Sequence, residues 1–188
     1  MDKKKKIEKF EIACLVDNSA GVLTRVSSLF TRRGFNINSL TVGETEDPNI
    51  SRMTISVFGD EKIRSQCIKQ LRKLVNIRNV KEMMPDACVS RELALIKLRN
   101  NSQTRPEILA AVDIFRCKII DFSPNTLCVE ITGESTKIDA FLEVVKPYGI
   151  LEMSRTGVVA VQRGCSYLFE DDLDESAFME TDRTDLIA

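Results

Sequence analysis

Phe10, Ile12, Cys14 and Val16 alternate along the chain, the period-two signature of a strand with one face turned inward. That strand is expected to end at Asp17. Asp17-Asn18-Ser19-Ala20-Gly21 is a polar turn of small residues, after which Val22, Leu23, Val26, Leu29 and Phe30 recur at helical spacing. Gly34 closes the expected helix, just after Arg32 and Arg33, whose charges suit a helix carboxyl end. Ile37 to Thr45 and Arg52 to Phe58 are β-branched-rich runs separated by Glu46-Asp47-Pro48-Asn49, a hairpin signal. Ile63, Cys67, Leu71 and Leu74 then mark a second amphipathic helix, and Val75 to Met84 a further strand. The order β-α-β-β-α-β within about 75 residues is the ferredoxin-like split βαβ unit.

Pro85-Asp86-Ala87 reads as a boundary, and beyond it the same order recurs. A strand from Val89 to Leu98 precedes a helix carrying Ile108, Leu109, Val112 and Phe115. Strands Lys118 to Phe122 and Thr126 to Thr132 flank Pro124-Asn125; a helix with Ile138, Phe141, Leu142 and Val145 follows. An apolar strand region, Ile150 to Val161, completes the unit. The fold class is therefore α+β, two consecutive ferredoxin-like βαββαβ units, one over residues 8–84 and the other over 88–164. From 165 to 188 acidic residues crowd together, which predicts a mobile tail; Phe169, Leu173, Phe178 and Leu186 leave open a short docked helix.

Composition narrows the chemistry. The chain holds 27 basic and 28 acidic residues, a balance unsuited to gripping nucleic acid. It contains no His, which removes the commonest general base, triad base and imidazole metal ligand together. Catalytic and metal-ligating residues are accordingly assigned to none. The six cysteines form no C-x-x-C pair and mostly sit in apolar runs such as Ile12-Ala13-Cys14-Leu15-Val16, which points to buried, reduced thiols. Lys3 to Lys6 lead into an alternating stretch and not into a signal-peptide core, and no apolar run reaches membrane-spanning length. The expectation is a soluble, cytoplasmic protein with its lysines solvated.

The sharpest local feature is Asp17-Asn18-Ser19-Ala20-Gly21-Val22-Leu23, where a strand hands over to a helix. Backbone N–H groups at a helix amino terminus are unpaired and carry the positive end of the dipole, so they can bind a carboxylate. Gly21 would allow close approach, and Asn18 could offer a carbonyl and an amide to a zwitterion. The plainer reading, which the physics alone favours, is that Asn18 or Ser19 is a cap and Gly21 a turn residue. A second polar cluster, Arg33-Gly34-Phe35-Asn36-Ile37-Asn38-Ser39, opens the second strand, an edge strand in this topology. Pairing of two such edges across a two-fold axis would bring Asn36 of one chain beside the Asn18–Gly21 loop of its partner. The alternative is a plain connection with Asn36 in a left-handed turn.

Taken together these stretches carry a resemblance. Asp17-Asn18-x-x-Gly21-Val22-Leu23, Arg33-Gly34-Phe35-Asn36-Ile37-x-Ser39-Leu40-Thr41-Val42 and Ser51-Arg52-Met53-Thr54 resemble the ACT domain of acetolactate (acetohydroxyacid) synthase small subunits. Ser90 to Lys97, Ile119-Ile120-Asp121, Leu127 to Gly133 and Ser154 to Val159 are similar to that family's carboxyl-terminal domain. The resemblance covers roughly Glu8 to Gly164. It implies a homodimer that binds valine, or a related branched-chain amino acid, between two ACT domains. Asn18, Gly21, Val22 and Leu23 would come from one chain, Asn36 and Ile37 from the other. It further implies a non-catalytic regulatory role, activating and conferring feedback inhibition on a catalytic (large) subunit. Cofactors would be absent from this chain, with thiamine diphosphate, Mg and FAD on the catalytic partner.

Three rivals come from other classes. Arg32-Arg33-Gly34-Phe35 resembles the start of an RNA-binding motif on the same fold, but no stacking aromatics follow. A small enzyme could use carboxylates or Cys67, although a cysteine without histidine is a weak nucleophile. A stand-alone ACT sensor regulating a different enzyme is the remaining alternative.

Overall fold

The computed structural model describes residues 7–168. Lys3 to Lys6 and the acidic stretch from 169 onward lie outside the described residues. The first unit comprises β1 (Glu8–Asp17), α1 (Val22–Arg33), β2 (Ile37–Glu44), β3 (Ile50–Gly59), α2 (Glu61–Leu71) and β4 (Ile77–Met83). Its antiparallel sheet has the order β2-β3-β1-β4, so β2 lies at an edge. The second unit comprises β5 (Cys88–Arg99), α3 (Arg105–Ile114), β6 (Lys118–Phe122), β7 (Thr126–Gly133), α4 (Ser135–Val145) and β8 (Ile150–Arg155). Its order, β6-β7-β5-β8, repeats the first.

Each sheet buries one face beneath two helices. Ile12, Cys14 and Val16 meet Val22, Val26 and Phe30 of α1 and Cys67 and Leu71 of α2 in one core. Ala94, Ile96 and Leu98 meet Ile108, Val112, Ile138 and Phe141 in the other. The expected apolar strand from Ile150 to Val161 is instead two strands. It breaks after Arg155, and Gly157 has φ +80°. Beyond the break, β9 (Val159–Gln162) pairs with Cys88–Arg91, the first third of β5, while β8 pairs with residues 94–98.

This departure sets how the two units sit together. β1 was expected to bury one face, yet Ala13 and Leu15 on its other face are also buried. They form a third cluster with Ile50, Met83, Cys88, Val158, Ala160 and Leu168. The helix-free face of the first sheet is thus covered by β9 and the start of β5. Leu168, assigned to the tail from sequence, is only 2% exposed, and its carbonyl accepts from the Asn79 side chain.

The seam between the units is held at the β8–β9 turn. Thr41 Oγ1 donates to the Thr156 carbonyl at 3.0 Å. A Cβ on Gly157 would stand 3.0 Å from both Ser39 Cβ and Thr41 Oγ1, in a left-handed backbone that L residues avoid. Gly157→Ala should therefore lower stability by about 1–3 kcal/mol, combining backbone strain with overpacking. Denaturant unfolding checks this; a shift below 0.5 kcal/mol would show that the seam yields freely.

A polar clamp lies beside the turn. Arg155 donates to Glu92 through Nε at 2.8 Å and Nη2 at 2.7 Å, and through Nη1 to Asp139 at 2.7 Å. Ser135 Oγ also donates to Glu92, which is 6% exposed. Burial alone would raise the Glu92 pKa, but the hydrogen bonds from Arg155 and Ser135 outweigh it and hold the carboxyl below its usual 4.5. The unfolded chain then binds the proton more readily. Stability from this clamp is full above 4.5 and is lost as pH falls through the lowered folded value. Glu92→Gln should cost about 2 kcal/mol at neutral pH, less than a wholly buried pair, because Asp139 keeps Arg155 partly compensated. The gap to wild type should close in acid; a gap independent of pH would contradict the charge argument.

Candidate effector site

The loop between β1 and α1 is pinned to its surroundings. Asp17 accepts from Arg78 Nε at 2.8 Å and from Asn76, and these hydrogen bonds, the Arg78 one foremost, hold its carboxyl below the usual range. The Asn18 N–H donates to the Asn49 carbonyl at 2.7 Å. Its side-chain Nδ2 donates to Glu44 Oε1 at 3.1 Å and to the Pro48 carbonyl at 2.9 Å. Both amide hydrogens of Asn18 are therefore engaged, which leaves Oδ1 as the group it can offer a ligand.

Gly21 precedes the first turn of α1 with φ +85°, and a Cβ there would meet nothing within 4 Å. Glycine is present for its backbone, not for lack of room. No side chain caps α1, and its first turn holds no acidic residue. The Val22 N–H turns back to the Ser19 carbonyl at 3.4 Å, and the amides of the turn beyond it suit an incoming carboxylate. Leu23 is 47% exposed beside them, an apolar surface for an aliphatic body. Val22 is 4% exposed and packed into the first core, so its part in a site is confined to its backbone.

Asn36 and Ile37 stand at the other end of the same helix. Gly34 takes the left-handed conformation, and the Phe35 N–H returns to the Phe30 carbonyl at 3.0 Å. The Phe30 and Phe35 rings meet edge to face at 6.0 Å, which fixes how the chain leaves the helix. A left-handed Asn36 is not found: among described non-glycine residues, Arg116 alone has positive φ. Asn36 is exposed at the mouth of β2, and Ile37 packs partly against the first core. Twelve residues of α1 separate this end from Gly21, a span of about 18 Å. One chain therefore brings Asn18, Gly21, Val22 and Leu23 together but leaves Asn36 and Ile37 remote.

Sequence reasoning missed Glu44 and Pro48, which saturate the Asn18 amide from the β2–β3 hairpin. Nothing in the sequence linked them to Asn18. The enzyme reading finds no footing at Cys67, where burial pushes the thiol up to about 11 and keeps it protonated at neutral pH. Burial likewise pushes Cys14 up to about 12. Among the described residues no cluster of His, Cys, Asp or Glu could hold a metal ion, and no helix is long and apolar enough to cross a membrane.

Comparison with known proteins places these features in a family. The family model for the AHAS small subunit-like ACT domain matches residues 12–79, and that for the small subunit of acetolactate synthase matches residues 91–164. A probable acetolactate synthase small subunit of Methanothermobacter thermautotrophicus is 50% identical over 154 residues, covering 81% of this chain and 92% of that protein. The acetolactate synthase small subunit of Mycolicibacterium smegmatis is 50% identical over 153 residues, covering 81% and 90%. The crystal structure of the small subunit from Thermotoga maritima superposes with a TM-score of 0.77 at 43% identity, covering 85% of this chain and 99% of that one. With both family models matched in sequence order and half of all aligned residues shared with two such relatives, the chain belongs to the acetolactate synthase small subunit family.

Proposed function

We propose that this chain is the regulatory subunit of acetolactate synthase, that it senses valine or a related branched-chain amino acid, and that it both activates the catalytic subunit and makes it subject to feedback inhibition. The ACT unit (residues 8–84) senses, and the unit over residues 88–164 helps to dock or transmit. The observation that carries this reading is the separation of the two halves of the ligand site along α1. The open helix end near Gly21 suits a carboxylate, Oδ1 of Asn18 suits an ammonium, and Leu23 suits an aliphatic side chain. Asn36 and Ile37 complete the site only from a second copy, and β2, an edge strand, supplies the means of pairing.

On this reading the reaction chemistry, with its thiamine diphosphate, magnesium and FAD, belongs wholly to the catalytic partner, and the complex works in the cytoplasm. The test is reconstitution. Added to a purified catalytic subunit, this chain should raise its rate of acetolactate formation, and valine should then lower it. A catalytic subunit whose rate and valine response do not change on addition would overturn the proposal.

A further inference from the structure

Arg52 lies within the stretch matched by the ACT-domain family model, residues 12–79, yet the proposed effector site does not use it. It stands on β3, opposite Gly43 of edge strand β2 on one side and Leu15 of β1 on the other. Its side chain lies on the helix-free face, where Nη2 donates to the Ala160 carbonyl of β9 at 2.7 Å. Its Nε is buried and meets no acceptor among the described residues. Among the described residues no carboxylate forms an ion pair with it either. A half-buried guanidinium with a buried, unanswered N–H is a costly arrangement for a protein to keep, and an anion would relieve it. Burial holds its pKa below the ordinary guanidinium value.

Arg52 opens into a groove of about 330 Å³ between the first sheet and β9. That volume is at the low end of the roughly 300–1,000 Å³ of small-molecule sites. The walls are Val42, Val89, Val159 and Val161, with Thr54, Glu44 and the exposed Arg91 at polar points. Val42, Val159 and Val161 are 42%, 48% and 53% exposed, so an apolar lining faces outward around one buried cation. Gly43 offers no side chain to close it. Glu44 touches both this groove and the effector loop, because its carboxylate holds Asn18.

We propose that this groove is a second ligand site, for a small monocarboxylate with a branched aliphatic body, its carboxylate received by Arg52 and its body by the four valines. The site lies on the sheet face opposite α1 and does not depend on the effector site proposed above. Amino acids and keto acids share this chemistry. The test is calorimetry on the full chain with isovalerate, α-ketoisovalerate and valine as probes. It compares wild type, Arg52→Gln, Val161→Glu and Gly21→Asp, with sedimentation of each. Isovalerate or α-ketoisovalerate should bind wild type and Gly21→Asp alike. Arg52→Gln and Val161→Glu should each lose at least about tenfold, the effect of one charge-assisted contact, while remaining dimeric. Residual Arg52-dependent binding of valine to Gly21→Asp would mark the ligand as an amino acid; binding of α-ketoisovalerate in its place would mark it as a keto acid. Val161 is exposed enough for its substitution to spare the fold, so failure of Arg52→Gln to fold would not blunt the test. Absence of saturable isovalerate and α-ketoisovalerate binding in wild type, with no valine binding left in Gly21→Asp, would overturn the site. So would binding untouched by both substitutions, or a Val161→Glu variant that only dissociates into monomers.

Discussion

Gly21→Asp will leave the chain folded but will weaken valine binding by roughly a hundredfold or more, because it places a carboxylate where the ligand's own carboxylate is received. The fold tolerates the change because a Cβ at this position meets no atom within 4 Å. The left-handed backbone at φ +85° adds strain of about 1–2 kcal/mol for an L residue, at the low end for Asp. Loss of one charge-assisted hydrogen bond, about 1.5–3 kcal/mol, already accounts for ten- to a hundredfold, and like-charge repulsion adds to it. Gly21→Ala separates the terms, since it brings the strain without the charge and should weaken binding far less. Calorimetry with valine reads both variants. Activation of the catalytic subunit should survive in each, which distinguishes a lost effector site from a lost fold. Equal affinities for wild type and Gly21→Asp would remove the helix terminus from the site.

The second large effect is expected at the β2 edge. Successive residues of a strand direct their N–H groups to opposite sides, so of Val42 and Gly43 one serves the ladder with β3 and the other the free edge. Val42→Pro and Gly43→Pro should accordingly behave differently. One will destabilise the protomer by about 3 kcal/mol, and the other will leave the protomer folded but weaken its dimer. Because a two-fold axis repeats the defect, the dimer constant should rise by about a hundredfold or more. Sedimentation equilibrium and thermal unfolding together assign each variant. Two prolines that both leave the dimer intact would exclude β2 as the pairing edge.

The repeated βαββαβ order was legible because each element carried its own period: alternation at Phe10–Val16, helical spacing at Val22–Phe30, and turn residues at Glu46–Asn49. Burial of β1 on both faces was not inferred, although the unbroken run Ile12-Ala13-Cys14-Leu15-Val16 is what a doubly covered strand looks like. The split of Ile150–Val161 was passed over although Ser154-Arg155-Thr156-Gly157 interrupts that region with polar residues and a glycine. What the local pattern does not give is where the turn docks: Gly157 lies against Ser39 and Thr41, more than a hundred residues earlier. Asn18 and Gly21 could be placed from their position between strand and helix. The occupation of the Asn18 amide could not, since its partners lie 26 and 30 residues away in a hairpin whose geometry no local pattern sets.

The central claim is that each ligand site is assembled from two chains, and mixed dimers test it most directly. Gly21→Asp and Asn36→Ala homodimers should both bind valine poorly, because every site in them contains the altered residue. Differently tagged chains of the two variants, purified as a mixed dimer, concentrate both defects in one site and leave the other wholly wild type. That dimer should regain one valine site of near wild-type affinity. A mixed dimer that binds no better than its parents would contradict the shared site and place the effector elsewhere.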